Sequence, residues 1–582
     1  MHIRFLFSSL WLAIILLTVA IQPTWARKHE PPQPVPASRI FLTSEPWVEH
    51  TLAKMTLSEK VGQMIVAGIE GQFKSDTDKE YRLLSRLAEE GKIGGIMFLK
   101  GDVLGAGMLA NHFQSLSKVP LLVSADMERG MAMRLQGATE FSPSMAIAAA
   151  GSQELAFRMA KVIAGEARAV GIQQNYAPSV DLNTNPSNPV INIRSFGDRI
   201  PLTISMSSAI IDGFQSNGLV ATAKHFPGHG DVSVDSHLSL PVLEADRQRL
   251  DEYELKPFKA AIDQGVMSVM VGHLAVPKLT GSLEPASLSK VIVTDILRNE
   301  LAFRGLIITD AMNMKALYNG RNLKDISVRA VQAGNDQLLF PPDPELAHDA
   351  VMDAVLRGEI PLSQIDDSVR RVLQVKRWLG LDRQKMVDLS HLQELIGSPE
   401  SIQLAEAIAE NAITLIRDRN QFLPLRMPVK GAVVNIILQD KPGGEKQMGF
   451  ADKLGADFTV ISIRLDPLSP KSTFHNAMSL AREASAVILS TDIQPLSISG
   501  HPSLSEQQIE FVHHLPAMVH KGTPVMLVSF GTPYILDAFP EIGTALCTYS
   551  ENKYAQQAAI RVLKGELIPK GTLPVSLAGR MP

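Results

Sequence analysis

Cysteine is almost missing from this chain: Cys547 is the only one in 582 residues. A single cysteine excludes an internal disulfide, so the fold must rest on its core. Cys547 lies in the strand-like run Thr544-Ala545-Leu546-Cys547-Thr548-Tyr549, where it reads as a buried small hydrophobe rather than a nucleophile. A surplus of one charge is missing too. Lys and Arg number 56 against 60 Asp and Glu, a formal net charge of −4, with no Lys/Arg-rich run. A surface that tracks phosphates would show one, which excludes nucleic acid as a partner and leaves a neutral or mildly charged substrate. No repeat with a period of 20–50 residues is visible, and nothing implies a stable protein partner. Long uncharged apolar runs are limited to one, Phe5 to Ile21, preceded by Met1-His2-Ile3-Arg4 and followed by Gln22-Pro23-Thr24-Trp25-Ala26. Basic start, apolar middle and small residues before a cut after Ala26 predict a signal peptide over residues 1–26 and an exported, periplasmic or secreted protein. The alternative is an uncleaved N-terminal membrane anchor. No cysteine follows the run to carry a lipid. The Pro-rich stretch after it predicts a disordered lead-in over residues 27–45.

What is present is length enough for two or more domains. From about Trp47 to Leu381, apolar strand-like runs alternate with helix-like ones: Gly62–Ala67, Ile93–Phe98, Pro120–Ser124, Gln173–Val180, Leu219–Ala223, Met267–Val271, Leu306–Thr309 and Asp336–Phe340. Gln153–Val170 and Leu255–Gln264 are helical patterns between them. Continuous apolar strands separated by helices imply a parallel sheet covered on both faces, and eight such units predict a (β/α)8 barrel over residues 46–381. A polar linker over 382–401 follows. A second, smaller α/β sandwich domain is expected over 402–582, with strands at Ala432–Leu438, Phe458–Ile463, Ala486–Leu489, Pro524–Ser529 and Thr544–Tyr549.

Several barrel strands end in polar residues: Asp126 and Glu128, Asp181 and Asn183, Lys224 and His225, His273, and Asp310. In a barrel these positions converge on the C-terminal rim, where active sites lie. The densest segment runs from Lys224 to Pro241, KHFPGHGDVSVDSHLSLP, with three histidines, two aspartates and two glycines. Three chemistries could use it. A metal site would draw on His225, His229, Asp231, Asp235 and His237, but no spacing matches a helical HExxH or a Cys/His zinc pattern. A structural loop would satisfy its histidines on carbonyls. In the third, Asp235 fixes the tautomer of His237, which gives and takes a proton near neutrality. Such a group needs a partner, and Asp310 ends an apolar strand where a carboxylate can attack an electrophilic carbon. Its bland alternative is an N-cap for a following helix. A carboxylate nucleophile with a separate proton donor is the plan of a retaining glycosidase.

These residues carry a family resemblance. Lys224 to Gly230 leading into Asp235-Ser236-His237 resembles the hallmark of glycoside hydrolase family 3, in its β-N-acetylglucosaminidase branch. Asn188-Pro189-Val190-Ile191, Arg194-Ser195-Phe196-Gly197 and Thr309-Asp310-Ala311-Met312 are similar to further segments of that family. Gly500-His501-Pro502-Ser503-Leu504 and Gly571-Thr572-Leu573-Pro574-Val575-Ser576 resemble, more weakly, parts of its C-terminal domain. The resemblance implies a cofactor-independent, retaining exo-β-N-acetylglucosaminidase. Asp310 would be the nucleophile and His237, paired with Asp235, the acid–base. Asp126, Arg134, Arg194, Lys224 and His225 would bind the terminal sugar, with His273 as a further lining residue. It implies GlcNAc-containing substrates, either cell-wall fragments or chitooligosaccharides, and no metal. A glycoside phosphorylase using the same site, a β-glucosidase and a non-catalytic glycan-binding protein remain as alternatives.

One segment departs from the family pattern. Where the family reads Asp-x-Glu-Gly-Gly-Arg, this chain reads Asp126-Met127-Glu128-Arg129-Gly130-Met131. A glycine replaced at a positive-φ position would cost on the order of 1 kcal/mol. An arginine removed from an ion-pair network would strand its partner, unless Arg129 restores the charge. The expectation is an intact sugar pocket with altered support beneath it.

Overall fold

The computed structural model describes residues 37–425, 431–442, 448–493 and 504–577. The proposed signal segment and Gly500–Ser503 lie outside the described residues, and no described helix is long and apolar enough to cross a membrane. Nine strands belong to the first sheet: β1 (Ile65–Gly71), β2 (Gly95–Asp102), β3 (Leu122–Ala125), β4 (Leu135–Gln136), β5 (Gln174–Asn175), β6 (Val220–Phe226), β7 (Ser268–Val271), β8 (Leu306–Thr309) and β9 (Leu338–Leu339). Eight run in the order β8-β7-β6-β5-β3-β2-β1-β9, all pairings parallel, while the short β4 pairs β2 off this path. A bridge between Ile308 and Gln337 brings the end strands together and closes the ring. The result is the expected (β/α)8 barrel.

The strands form because their residues are apolar and buried on both faces; β6, for example, is buried throughout, even at Lys224 and His225. Helices cover the outside. Gln153–Ala169 starts at the Ser152 cap and packs Ala156, Met159, Ala160, Ile163 and Ala164 inward. The run Gln173–Val180 yields a strand of only two residues, since Ala177-Pro178 interrupts the ladder. Beyond Leu381 the chain stays against the barrel. Asn111 exchanges two 2.8 Å hydrogen bonds with the backbone of Val387, and the Gly397 N–H donates to Glu166.

A second sheet contains β10 (Thr414–Asp418), β11 (Val433–Gln439), β12 (Val460–Leu465), β13 (Ala486–Asp492), β14 (Val525–Ser529) and β15 (Thr544–Cys547), in the order β10-β15-β14-β13-β11-β12. Only the β10–β15 pair is antiparallel. Alternate residues of β11 feed two apolar cores, Val434, Ile436 and Leu438 on one face and Val433 on the other. Helices Lys471–Glu483 and Glu506–Met518 close the first and Lys553–Lys564 the second, which makes the expected α/β sandwich. Met145 and Ala146, from the helix Ser144–Ala150, and Ile193, from the turn Asn192–Arg194, share the first of these cores.

Candidate active site

The C-terminal ends of the barrel strands open into a cavity of about 330 Å³ whose wall includes Asp126, Glu128, Arg134, Arg194, Lys224, His225, His237 and Asp310. Its floor is an ion-pair network. Lys224, 2% exposed, donates to Asp126 at 2.8 Å and reaches Glu128 at 2.7 Å. Arg134 pairs with Asp126 at 3.0 Å, and Arg194 grips both oxygens of Glu128 at 2.8 and 3.1 Å. Burial opposes the ionised form of both acids. For Asp126, Lys224 and Arg134 outweigh burial and hold the carboxyl below its ordinary range. For Glu128, Arg194 and Lys224 hold it well below. The same carboxylates keep Lys224 protonated despite its burial. Such a network fixes donors in place, ready for hydroxyl groups.

A second buried acid organises β6. Asp181 accepts from His225 Nδ1 at 2.7 Å, from the His225 N–H and, at 2.7 Å, from the His229 N–H. Burial would raise its pKa, but His225 and these donors bring it to about 2. His225 thereby turns Nε2 away from Asp181, 3.5 Å from Arg194. His229 packs edge-on against His225. Among the described residues neither of its ring nitrogens has a hydrogen-bond partner, and burial together with the His225 ring pushes its pKa down to about 4.

Asp310 follows β8 and is 7% exposed. Its N–H donates to Val271 O, and its Oδ1 accepts from the Ala311 N–H at 2.8 Å. Burial works to raise its pKa. The His225 and His273 rings, the Ala311 N–H and Lys224 outweigh burial and hold the carboxyl below its ordinary range. It is a carboxylate at neutral pH. No helix starts here, and the next regular turn is Lys315–Leu317, so Asp310 is not an N-cap. His273 does not reach the cavity wall. It stands behind Asp310, fully buried, with Nδ1 2.7 Å from Ser287 Oγ and Nε2 3.2 Å from Ala311 O.

The remaining pair sits in the loop after β6. Asp235 Oδ1 accepts from His237 Nδ1 and from the His237 N–H, both at 2.8 Å. Asp235 is buried while His237 is about a quarter exposed, at the cavity wall. Fixing Nδ1 as the donor leaves Nε2 to exchange a proton inside the cavity. Two glycines let the loop fold this close. Gly228 has φ 133°, and a Cβ on Gly230 would lie 1.6 Å from Leu182 O. Asp231 turns outward to Arg249 at 3.3 Å. Among the described residues no group of three or more His, Cys, Asp or Glu side chains converges as a metal site.

The departing segment resolves without strain. Arg129 is not in the left-handed region; Gly130 is, at φ 96°, and its Cβ would lie 2.4 Å from Thr139 O. The expected cost of replacing a glycine therefore does not arise, because the glycine that the backbone needs is kept. Met131 is fully buried in the same apolar core as Met127, Leu135 and Phe141. Arg129 instead lines the cavity, so it does not take over the place of Met131. Glu128 and Asp181, legible in the sequence only as polar strand ends, are the acids that hold Lys224, Arg194 and His225.

Residues 56–375, the span of the barrel strands, match the glycosyl hydrolase family 3 N terminal domain. A solved glycoside hydrolase family 3 beta-N-acetylglucosaminidase from Paenibacillus sp. str. FPU-7 is 32% identical, with a TM-score of 0.79 over 90% of this chain and all of that one. A beta-N-acetylglucosaminidase/beta-glucosidase of Cellulomonas fimi is 28% identical across 91% of this chain and 95% of its own length. A solved beta-glucoside phosphorylase is also similar, at 25% identity and a TM-score of 0.82 over 92% of this chain and 97% of that one. With its barrel matched throughout and its two-sheet architecture shared, the chain belongs to glycosyl hydrolase family 3.

Proposed function

We propose that the protein is a retaining exo-β-N-acetylglucosaminidase that removes terminal N-acetylglucosamine through a covalent glycosyl-enzyme. The observation that carries this reading is the pairing in one cavity of a buried ionised carboxylate, Asp310, with an imidazole oriented by its own acid, Asp235–His237. In the first step a carboxylate oxygen of Asp310 attacks the anomeric carbon while His237 Nε2 gives its proton to the departing glycosidic oxygen. In the second, His237 removes a proton from water as the water oxygen displaces Asp310, which releases the sugar with retained configuration. Asp126, Arg134, Arg194, Lys224 and His225 hold the terminal sugar's hydroxyls, and Asp235 stabilises the imidazolium as it forms. His273 acts from behind, through the Ala311 carbonyl beside the nucleophile. The similarity to relatives named for N-acetylglucosaminidase and hexosaminidase activity supports the choice of sugar. Residues 1–26 are read as an export signal, which suits cell-wall fragments or chitooligosaccharides as substrates.

Hydrolysis of an aryl N-acetylglucosaminide tests the reading. Asp310→Ala abolishes turnover and His237→Ala lowers it severely. Near-normal hydrolysis by Asp310→Ala sinks the assignment. The phosphorylase likeness favours one rival, in which phosphate replaces water in the second step. A neutral imidazole does not repel an anionic acceptor as a carboxylate would. Sugar 1-phosphate formed when phosphate is added would establish that rival.

A further inference from the structure

We infer that Arg129 makes the cavity selective for a saccharide bearing an oxyanion, a carboxylate or a phosphate; the inference rests on the glycosidase reading of the site. Four cations line the cavity, Arg129, Arg134, Arg194 and Lys224, against three carboxylates, Asp126, Glu128 and Asp310. Three of the cations are committed: Lys224 and Arg134 to Asp126, Lys224 and Arg194 to Glu128, at 2.7–3.0 Å. Arg129 stands apart from them. Its nearest carboxylate, Glu140, is 3.9 Å away, beyond hydrogen-bond reach, and no other ion pair holds it among the described residues. Its side chain is 26% exposed and stands in the cavity wall.

The backbone beneath it is hydrogen-bonded. Arg129 O accepts from the Phe141 N–H at 2.9 Å, and Gly130 takes the positive φ next door. A guanidinium offered this way suits the planar, two-oxygen geometry of a carboxylate or phosphate better than it suits a hydroxyl. Glycosylation of Asp310 removes one of the three carboxylates that line the cavity with Arg129, and an anionic saccharide replaces the charge lost. Free inorganic phosphate offers the same chemistry, and the assay separates the two sources.

Chitobiitol and chitobionate, both open-chain at the terminal residue, differ chiefly by one carboxylate; 4-nitrophenyl N-acetylglucosaminide and its 6-phosphate differ by one phosphate. For the intact protein, kcat/KM is expected to favour at least one anionic partner of these pairs. Arg129→Gln should lower that anionic-to-neutral ratio about tenfold, the loss of one charge-assisted hydrogen bond, mainly through KM. Arg129→Lys should restore part of it, and raising the ionic strength should erode it in the wild type. A merely structural role would lower both members of a pair alike. If phosphate is the source, inorganic phosphate alters turnover of the neutral glycoside in the wild type about tenfold more effectively than in Arg129→Gln. The inference is overturned if Arg129→Gln leaves every anionic-to-neutral ratio, and the response to phosphate, where the wild type has them. Failure of the wild type to cleave any of the four compounds would instead overturn the glycosidase reading.

Discussion

Gly230→Ala is a small change with a large expected effect. The added Cβ would stand 1.6 Å from Leu182 O and 2.4 Å from Leu182 C, and both are backbone atoms that no rotamer change can move. Restoring van der Waals contact requires the two segments to part by about 1.5 Å. One of them follows Asp181, which orients His225. The other leads to the Asp235–His237 pair. Either displacement misplaces a group that the proposed reaction needs, and about 1 Å of error is enough to cost on the order of 100-fold in rate. Backbone movement of this kind also destabilises a packed site by about 1–3 kcal/mol. The assay is kcat/KM on an aryl N-acetylglucosaminide together with the Tm, with Gly281→Ala as the matched control. Gly281 has φ 71° but nothing within 4 Å of its Cβ, so that variant meets strain of about 1 kcal/mol without a clash. The reasoning predicts a loss of about 100-fold for Gly230→Ala and little change in rate for Gly281→Ala. Equal kcat/KM and equal Tm in the two variants would refute it.

Asp181→Asn should destabilise the fold by about 2 kcal/mol at neutral pH, from a folded pKa of about 2 against an ordinary 3.8. Because that pKa is depressed, the contribution is present above about pH 4 and lost as pH falls through about 2. Denaturation at several pH values should show the gap between wild type and variant narrowing across that window. The acid limb of kcat/KM should lie below the ordinary carboxylate range, since Asp310 remains ionised there, and His225→Phe should move it upward. An acid limb that stays in place in His225→Phe would contradict the electrostatic account of Asp310. Cys547 is fully buried and its thiol is pushed up to about 12, so a thiol reagent at pH 8 should find no reactive group in the native protein and one after unfolding.

The barrel is legible in the sequence because a parallel strand buried on both faces must be a continuous apolar run. Leu306–Thr309 and Leu219–Ala223 are such runs, and the polar residues that follow them, Asp310 and Lys224-His225, mark the rim. β10 is not legible in this way. Thr414–Asp418 exposes Leu415, directly follows the helix Pro399–Ala412, and becomes a strand only by antiparallel pairing with β15, over a hundred residues away. The site divides along the same line. Asp235 and His237 are two residues apart, and their hydrogen bond is a local event that spacing foretells. Glu128 meets Lys224 and Arg194, and Asp181 meets His225, only because closure of the barrel brings the ends of β3, β5 and β6 and the loop after β5 to one rim. Pairings over such separations leave no periodic mark. The outcome at Arg129 was hidden for another reason: whether a residue replacing glycine is strained depends on its φ, which sequence does not display.

Trapping the covalent intermediate tests the central claim most directly. A slowly turned-over fluorinated aryl N-acetylglucosaminide, followed by mass spectrometry of the intact protein and its peptides, should show one added glycosyl group mapped to Asp310, and NMR of the released sugar should show the β anomer first. An adduct on another residue, or release of the α anomer without any adduct, would contradict the account.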